Sequence, residues 1–379
     1  MAGLTLGVVG TSRKQDERRL GIHPAHFGRI DAELRRRIFV ERGYGERFGV
    51  PDAELEELVG GLRTRDELVA ECDVVMLPKP LAADLDGFRA GQVLWGWPHV
   101  VQDAAMTQAA IDRRLTLIAW EAMNHWRGDG AFDGHVFRGN NELAGYASVL
   151  HALALRGTTG AYGRRLSAAV ISFGSSGRGA VEALIAQGVN DVTVLTQRDP
   201  SRVASPPTSV RLVQWDRDDA DPARPVLCDG GGPLHTLLAQ HDIVVNCVLQ
   251  DTDAPLMFVT REELRAFARG SLIVDVSCDE GMGFEWARPT SFAEPMFDVG
   301  DGVHYYAVDH SPSYLWQSAT WEISEALLPY LPAVMGGGDA WDGDETVRRA
   351  IEIRDGVIQN SRVLSFQGRG PEYPHPRAA

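Results

Sequence analysis

Lys79 stands between two prolines in Leu77-Pro-Lys-Pro80, directly behind an apolar run, and His99 follows a second apolar run in Gly96-Trp-Pro-His99. Proline on either side fixes the local backbone, so the ammonium is presented from one place at a strand end. Partial burial would lower its pKa and allow proton exchange near neutral pH; a solvated loop lysine is the plainer alternative. The imidazole, shielded by Trp97 and Pro98, can shuttle protons at physiological pH, although a lone histidine is more often structural. An amine and an imidazole at neighbouring strand ends point together to acid and base chemistry. Arg18 and Arg19, in Glu17-Arg-Arg-Leu-Gly-Ile-His-Pro24, follow the first apolar run. One of them could clamp a carboxylate bidentately, and the other would then be a surface charge. Glu121 ends a further run, again at a strand end.

A second kind of chemistry is written in Ala169-Val-Ile-Ser-Phe-Gly-Ser-Ser-Gly-Arg-Gly179. A short apolar run, a turn of small residues and a helical pattern from Ala180 together resemble a turn that brings backbone N–H groups against a pyrophosphate. Gly174 and Gly177, with Ser175 and Ser176 between them, take the second and third glycine places of the usual G-x-G-x-x-G. Ser172 then stands in the first, so the opening turn must tolerate a Cβ. Such a turn is weak evidence alone, but a second strand over 191–195 ends about 20 residues on, where the residue that meets the adenosine ribose belongs. There the chain reads Thr196-Gln-Arg198 in place of Asp or Glu. Without a carboxylate a 2′-phosphate is not repelled, and Arg198 could pair with it; the expected cofactor is NADPH rather than NADH. Val248 and Leu249, at the end of a third strand over 242–248, are expected beside the cofactor. Asp279, just past a fourth strand over 271–276, falls at the level of a nicotinamide, where it could hydrogen-bond the ribose or orient a proton donor. Asp309 and His310 follow at the return crossing and could reach the substrate, unless Asp309 merely forms a turn before Ser-Pro. No H-E-x-x-H and no clustered Cys/His spacing occurs, so no metal is expected.

These residues need two sheets to position them. Apolar runs at 4–9, 38–41, 73–77, 92–97 and 115–120, with helical stretches at 24–37, 52–59 and 103–113, predict one open parallel sheet, and the runs from 169 onward predict another, with a helix over 261–268. Ligands in such sheets bind beyond the carboxyl ends of the strands, where Lys79, His99 and Glu121 fall. Long helices over 140–156 and 315–331 would carry the chain between domains. The expected fold is therefore α/β, with two Rossmann-like domains and a cleft between them: a substrate domain of residues 1–140 and 310–379, and a nucleotide domain of residues 141–309. Residues 199–233, rich in Pro, Asp and Gly, predict a surface excursion with one short strand over 210–215. Gly230-Gly-Gly-Pro233 lacks the Lys or Ser/Thr of a phosphate loop and predicts a turn, and the last dozen residues predict a loose tail.

The 379 residues suffice for two cores, and 44% hydrophobic with 23% charged content is that of a soluble protein. A net charge of −15 with scattered arginines argues against nucleic-acid and anionic-membrane partners. The N-terminus lacks a charged n-region and no run reaches membrane-spanning length, so a cytoplasmic location is expected. Cys72, Cys228, Cys247 and Cys278 are too scattered to suggest a disulfide framework or a zinc site.

Arg19-Leu-Gly-Ile-His-Pro24, Lys79, His99 and Val274-Asp-Val-Ser-Cys-Asp279 resemble the alanine dehydrogenase and nicotinamide nucleotide transhydrogenase superfamily, which includes lysine-forming saccharopine dehydrogenase. Trp95-Gly-Trp-Pro-His-Val-Val-Gln102, Ala119-Trp-Glu121, Asn140-Asn-Glu-Leu-Ala-Gly145, Val244-Val-Asn246, Asp275-Val-Ser-Cys-Asp-Glu280 and Val308-Asp-His-Ser-Pro312 narrow the likeness to the N5-(carboxyethyl)ornithine synthases. The resemblance implies reductive condensation of a 2-oxo acid such as pyruvate with the amine of ornithine or lysine, using NADPH. It further implies that Arg19 and Lys79 hold the keto-acid carboxylate, that His99 is acid or base at the carbonyl or imine, and that Asp279 lies beside the nicotinamide. Glu121 would bind the cationic amine. Ser172 and the excursion depart from the ornithine enzymes. Partners are then two small molecules and further copies of the chain in a homo-oligomer. Reductive amination with ammonia is the nearest alternative, and a silent NADP(H) sensor using residues 199–233 is an alternative of another class.

Overall fold

A computed structural model describes residues 3–204, 209–230 and 232–377. The chain divides into one unit of Met1–Arg138 with Trp316–Ala379 and a second of Gly139–Leu315. It leaves the first at the start of the helix Arg138–Leu155 and returns at the start of the helix Trp316–Leu327.

In the first unit, β1 (Leu6–Val8), β2 (Ile38–Glu41), β3 (Gly61–Arg63), β4 (Val74–Leu77), β5 (Val93–Gly96) and β6 (Thr116–Ala119) pair in parallel in the order β3-β2-β1-β4-β5-β6. Every residue of β4, β5 and β6 is buried, because helices cover both faces of a parallel sheet; such strands read as continuous apolar runs. Val74 and Met76 pack with Ile323 and Leu327 of the returning helix, while Val75 and Leu77 pack on the other face with Met106 and Ile111 of the helix Ala104–Asp112. β7 (Asn124–Trp126) and β8 (Phe132–His135) make a separate hairpin.

The second unit contributes β9 (Ser167–Ile171), β10 (Asp191–Thr196), β11 (Val210–Arg217), β12 (Pro225–Leu227), β13 (Ile243–Asn246), β14 (Met257–Val259), β15 (Leu272–Asp275), β16 (Gly283–Phe284), β17 (Met296–Val299) and β18 (Val303–Tyr306). Its main sheet runs β12-β11-β10-β9-β13-β15-β18-β17, parallel from β11 to β18 with antiparallel strands at the two edges. Both units therefore show the strand order of a dinucleotide-binding fold, reversing direction beside the first strand. Finally β19 (Ile351–Arg354) and β20 (Val357–Ile358) extend the first sheet beyond β6.

Several expectations are corrected. Residues 24–37 are not one helix but a 3-10 segment, Pro24–Arg29, and a short α-helix, Ala32–Arg35; Asp31 between them accepts from the N–H groups of Glu33 and Leu34, a cap that begins a new helix. The stretch 261–268 forms only a 3-10 turn, Glu263–Ala266. Pro329 and Pro332 break the pattern over 315–331 into Trp316–Leu327, Leu328–Tyr330 and Leu331–Gly336. The excursion is largely sheet, since β11 continues the parallel ladder and β12 covers its edge; residues 205–208, and Gly231 of the Gly230–Pro233 turn, lie outside the described residues. The tail is tied down as far as it is described. His375 is fully buried and its Nε2 accepts from the Ile358 N–H at 3.0 Å, while Gly370 N–H donates to the Pro376 carbonyl at 2.8 Å. Among the described residues no helix is long and apolar enough to cross a membrane.

Candidate active site

In the first unit the site begins with a glycine. Gly96, the last residue of β5, pairs with Leu77, the last of β4, and a Cβ on Gly96 would lie 1.9 Å from the Leu77 carbonyl oxygen. Glycine is required for that approach. The pairing persists one step past the strands, where Trp97 N–H donates to the Pro78 carbonyl at 2.9 Å. Lys79 and His99 are thereby brought together, with Lys79 Nζ 3.3 Å from His99 Nε2. An ammonium has only donors, so Nε2 accepts and the neutral ring carries its proton on Nδ1. Nδ1 lies 3.9 Å from Glu121 Oε1, and the His99 backbone N–H donates to that same oxygen at 2.7 Å. His99 adopts φ +46°, a left-handed conformation that costs a residue with a Cβ and occurs mostly where surroundings enforce it. Trp95, Trp97, Trp120 and Phe137 form the packed aromatic layer at these strand ends.

The structure separates the two arginines. Arg18 is exposed, whereas Arg19 is buried and grips Glu17 with both arms of its fork, Nε to Oε1 at 2.8 Å and Nη2 to Oε2 at 2.6 Å. The guanidinium rests over the Trp97 ring, 4.8 Å from its centroid, two residues before His99. Arg19 is thus a positioned charge with a resident carboxylate partner, and Glu17, quoted only as a neighbour in the sequence, is the residue that orients it.

Glu121 has one oxygen, Oε2, that is sealed from solvent and without a hydrogen-bond partner among the described residues. Burial, then the charge of Glu352 on β19, pushes its carboxyl up to about 8, against hydrogen bonds from its own and the His99 N–H and the charge of Lys79. Beside it, His135 accepts the Phe137 N–H at Nδ1, which leaves Nε2 to donate to the Glu121 carbonyl at 3.2 Å. Folded Glu121 holds its proton to about pH 8, while the unfolded chain releases it near 4.5. The native state binds more protons across that window, so stability falls as pH rises through it. Glu121→Gln is expected to flatten the fall: the urea midpoint of the parent should drop between pH 5 and 8 more than that of the variant, and parallel declines would refute the shift.

In the second unit, β9 runs into the turn at Ser172, which takes φ +80°. The serine adopts the conformation that glycine would supply in the first glycine place. A Cβ on Gly177 would sit 2.3 Å from the Ser172 carbonyl oxygen, so this glycine seats the helix Ser175–Ala186 against the strand end. A Cβ on Gly174, by contrast, would meet nothing nearer than Ser172 Oγ at 4.0 Å. Gly174 is the N-cap of that helix and makes no side-chain cap, so the cap residue itself takes none of the helix's first backbone donors. Ser175 and Ser176 begin the helix, and its back is held by Arg138–Leu155, where Cβ atoms on Gly145 and Gly179 would each lie 1.8 Å from a carbonyl oxygen of the other helix. These residues fit a dinucleotide pyrophosphate: open where a ligand approaches and closed where the helices meet.

Thr196 is buried and its Oγ1 accepts from the Arg198 N–H at 3.1 Å, while Arg198 Nη2 donates to the Phe173 carbonyl at 3.2 Å. Val248 N–H donates to Asn246 Oδ1 at 3.1 Å, and Leu249, one residue further, leaves its apolar side chain 93% exposed. Asp275 is buried within β15 and accepts from Tyr305 Oη at 2.6 Å, Asn246 Nδ2 at 2.9 Å and Cys278 N–H at 3.0 Å. It fixes the loop in which Cys278 turns through φ +47° and Asp279 follows. Burial and the nearby Asp275 charge push Asp279 up to about 6. Asp309 holds His310 Nδ1 at 2.6 Å, and His310 is buried with its ring edge-on to Phe292, so that imidazole belongs to the packing of this unit.

The equivalent turn in the first unit is filled by the protein itself. Glu41, closing β2, accepts the N–H groups of Gly10 and Thr11 at 2.7 and 2.8 Å and the Thr11 hydroxyl at 2.7 Å. A resident carboxylate takes the donors that would meet a phosphate, so two sheets of like order divide the labour.

Residues 8–131 match the family profile described as Alanine dehydrogenase/PNT, N-terminal domain, and residues 226–361 that described as Alanine dehydrogenase/PNT, C-terminal domain. The chain is 26% identical to an alanine dehydrogenase of Mycobacterium tuberculosis, over 95% of this chain and 96% of that protein. It is 23% identical to an N(5)-(carboxyethyl)ornithine synthase of Clostridium botulinum, over 83% and 90% of the two chains. A solved L-alanine dehydrogenase shares the fold with a TM-score of 0.74 at 20% identity, covering 96% of this chain and 99% of that one. A transhydrogenase from Sinorhizobium meliloti does so with a TM-score of 0.68 at 21% identity, covering 93% and 99%.

Proposed function

This chain belongs to the alanine dehydrogenase/PNT family, and from that premise we infer that it is a nicotinamide-dependent oxidoreductase of amino acids. We propose the reaction to be an NADPH-dependent condensation of a pyruvate-like 2-oxo acid with the amine of an ornithine- or lysine-like amino acid through an imine, yielding an N-(carboxyalkyl)amino acid.

The observation that carries this reading is the grouping at the carboxyl ends of β4, β5 and β6: the Lys79 cation and His99 at 3.3 Å, with Glu121 bound to the His99 backbone and holding one oxygen without a hydrogen-bond partner among the described residues. A 2-oxo acid brings a carboxylate and a carbonyl, and an amino acid brings a cationic amine. Lys79 pairs with the carboxylate, and Arg19, oriented by Glu17, adds a fixed positive charge. Glu121, which is ionised only above about pH 8, then accepts from the amine at Oε2 and draws off one of its protons. His99, whose ring nitrogen is set by Lys79, takes the proton that the amine nitrogen releases as it attacks and relays it to the carbonyl oxygen, which leaves as water with a second amine proton; a proton taken up from solvent is passed on to the nitrogen as the C=N bond is reduced. NADPH, when bound, supplies the hydride for the imine carbon. Gly174, Ser175, Ser176 and Gly177 would hold its pyrophosphate, Thr196 and Arg198 the adenosine end, Val248 and Leu249 the dinucleotide's flank, and Asp279 the nicotinamide side. NADPH is preferred to NADH because the end of β10 presents Arg198, while the next carboxylate, Asp199, is occupied in capping Ser201.

A second reading, reductive amination of the 2-oxo acid with ammonia, is favoured by the longer match to the M. tuberculosis alanine dehydrogenase. Incubation with NADPH and pyruvate plus ornithine, lysine or ammonia separates the two. Oxidation of NADPH with ornithine or lysine, and a product mass of the two reactants less one oxygen atom, is expected. Oxidation with ammonia alone would replace the condensation by the amination.

A further inference from the structure

The backbone is gripped on both sides of Lys79. Before it, the Pro78 carbonyl accepts the Trp97 N–H at 2.9 Å. After it, Pro80 has no N–H to offer, so the next backbone donor is that of Leu81, and Asp84 Oδ2 accepts it at 2.7 Å. The Asp84 side chain is buried, and its other oxygen meets two arginines. Arg65 Nη2 donates to Oδ1 at 2.7 Å, and Arg13 Nε lies 3.3 Å from the same atom while Arg13 Nη1 donates to the Ala83 carbonyl at 2.6 Å. Arg65 also donates from Nη1 to the Thr11 carbonyl and, at 3.1 Å, to the Thr11 hydroxyl. That hydroxyl is the one that donates to Glu41. An unbroken series of contacts thus runs from Glu41 at the end of β2, through the turn after β1, to the segment that follows Lys79.

The prolines fix torsion angles around Lys79 but do not decide where the stiff segment sits. The Asp84 contacts do. Arg65 is the first residue of the helix Arg65–Glu71, whose start is locked by a capping box of Thr64 and Glu67, so it offers Asp84 a fixed partner. Arg13 belongs to the loop that runs on to Glu17 and Arg19, so Asp84 ties the loop of Lys79 to the loop of the other cation expected at the carboxylate. A buried carboxylate is tolerated when its charge is matched, and the two guanidinium groups match it. We propose that Asp84 is a positioning residue for Lys79: it fixes the segment behind the ammonium against the turn after β1, and so sets where the carboxylate of the 2-oxo acid is received. The turn whose donors Glu41 occupies serves as the anchor. This rests on the role given to Lys79 above and deepens it.

Calorimetric titration of the full chain, saturated with NADPH, with oxamate tests the positioning without turnover, because oxamate carries the carboxylate of a 2-oxo acid beside an amide that takes up no hydride. Lys79→Met should weaken oxamate about 10- to 150-fold, the range of one charge-assisted contact. Asp84→Asn keeps the size of the side chain and an acceptor but not the charge that holds Arg65 and Arg13. It should weaken oxamate about 10-fold, a part of that contact, and leave NADPH affinity within about twofold, since the phosphate turn belongs to the other unit. In the Lys79→Met background the same change should move oxamate affinity by less than about twofold, because a residue that acts through Lys79 has nothing left to position. A merely structural loss would recur in both backgrounds. Arg13→Gln, at a half-exposed side chain, should repeat the pattern at about threefold, and it decides the matter if thermal melts show that Asp84→Asn does not fold. Equal weakening in both backgrounds, or parental oxamate affinity in the single variant, would overturn the positioning role while leaving Lys79 at the carboxylate. Parental affinity in Lys79→Met would overturn the reading itself, and this inference with it.

Discussion

Replacing Lys79 by methionine is expected to lower kcat/KM for the 2-oxo acid by about 10³-fold while the chain stays folded. Methionine keeps the length of the stem and fits between Pro78 and Pro80, so the backbone that presents it is unchanged. Two things are lost together. The carboxylate loses a charge-assisted contact worth about 1.5–3 kcal/mol, roughly 10- to 150-fold. His99 loses the ammonium 3.3 Å from Nε2 that sets its tautomer, and a misplaced proton carrier forfeits part of the 10²–10⁴-fold that positioned acid–base catalysis supplies. Fluorescence titration with NADPH should give the parental affinity, because the phosphate turn belongs to the other unit. A variant that consumed NADPH at the parental rate would remove Lys79 from the chemistry and undercut the roles assigned with it.

His99→Asn is expected to cost about 10²–10⁴-fold in kcat, and asparagine is the informative replacement. Position 99 holds φ +46°, and asparagine tolerates the left-handed region better than other residues with a Cβ. The turn after β5, with its backbone N–H on Glu121, should therefore survive, and the loss reports on the imidazole rather than on the loop. Lys79 and His99 act through one contact, so the double variant should be scarcely slower than the slower single variant. Rates that multiply in the double variant would mean that the two side chains work independently, and steady-state kinetics at saturating amine distinguishes the outcomes.

Much of this site is legible in the sequence because parallel strands covered on both faces must be apolar throughout. A charged residue directly after such a run has to lie at its carboxyl end, and that reasoning alone selects Lys79, His99, Glu121 and Asp279. Why Lys79 and His99 touch is not legible. It depends on Gly96 meeting the Leu77 carbonyl across two strands, and a glycine that ends a strand looks the same whether or not a neighbour presses on it. Likewise, Glu17-Arg-Arg19 offers two arginines of one chemistry, and only packing over Trp97 decides which is buried.

The sequence by itself determined the two sheets, the phosphate turn with serine in a glycine place, and the absence of a carboxylate at the end of the strand that follows it. These are local properties, carried by spacing of 2 to about 20 residues. Tertiary structure decided what depends on residues far apart in the chain. It buried Glu121 and added the charge of Glu352 on β19, which together raise its carboxyl pKa, and put Glu41 into the first unit's own turn. It made sheet out of residues 210–217 and buried His375 in the tail. Arg178 shows the division most plainly: its sequence neighbours mark it as the first turn of a helix, and only the fold lays it over Phe173 at the end of another strand.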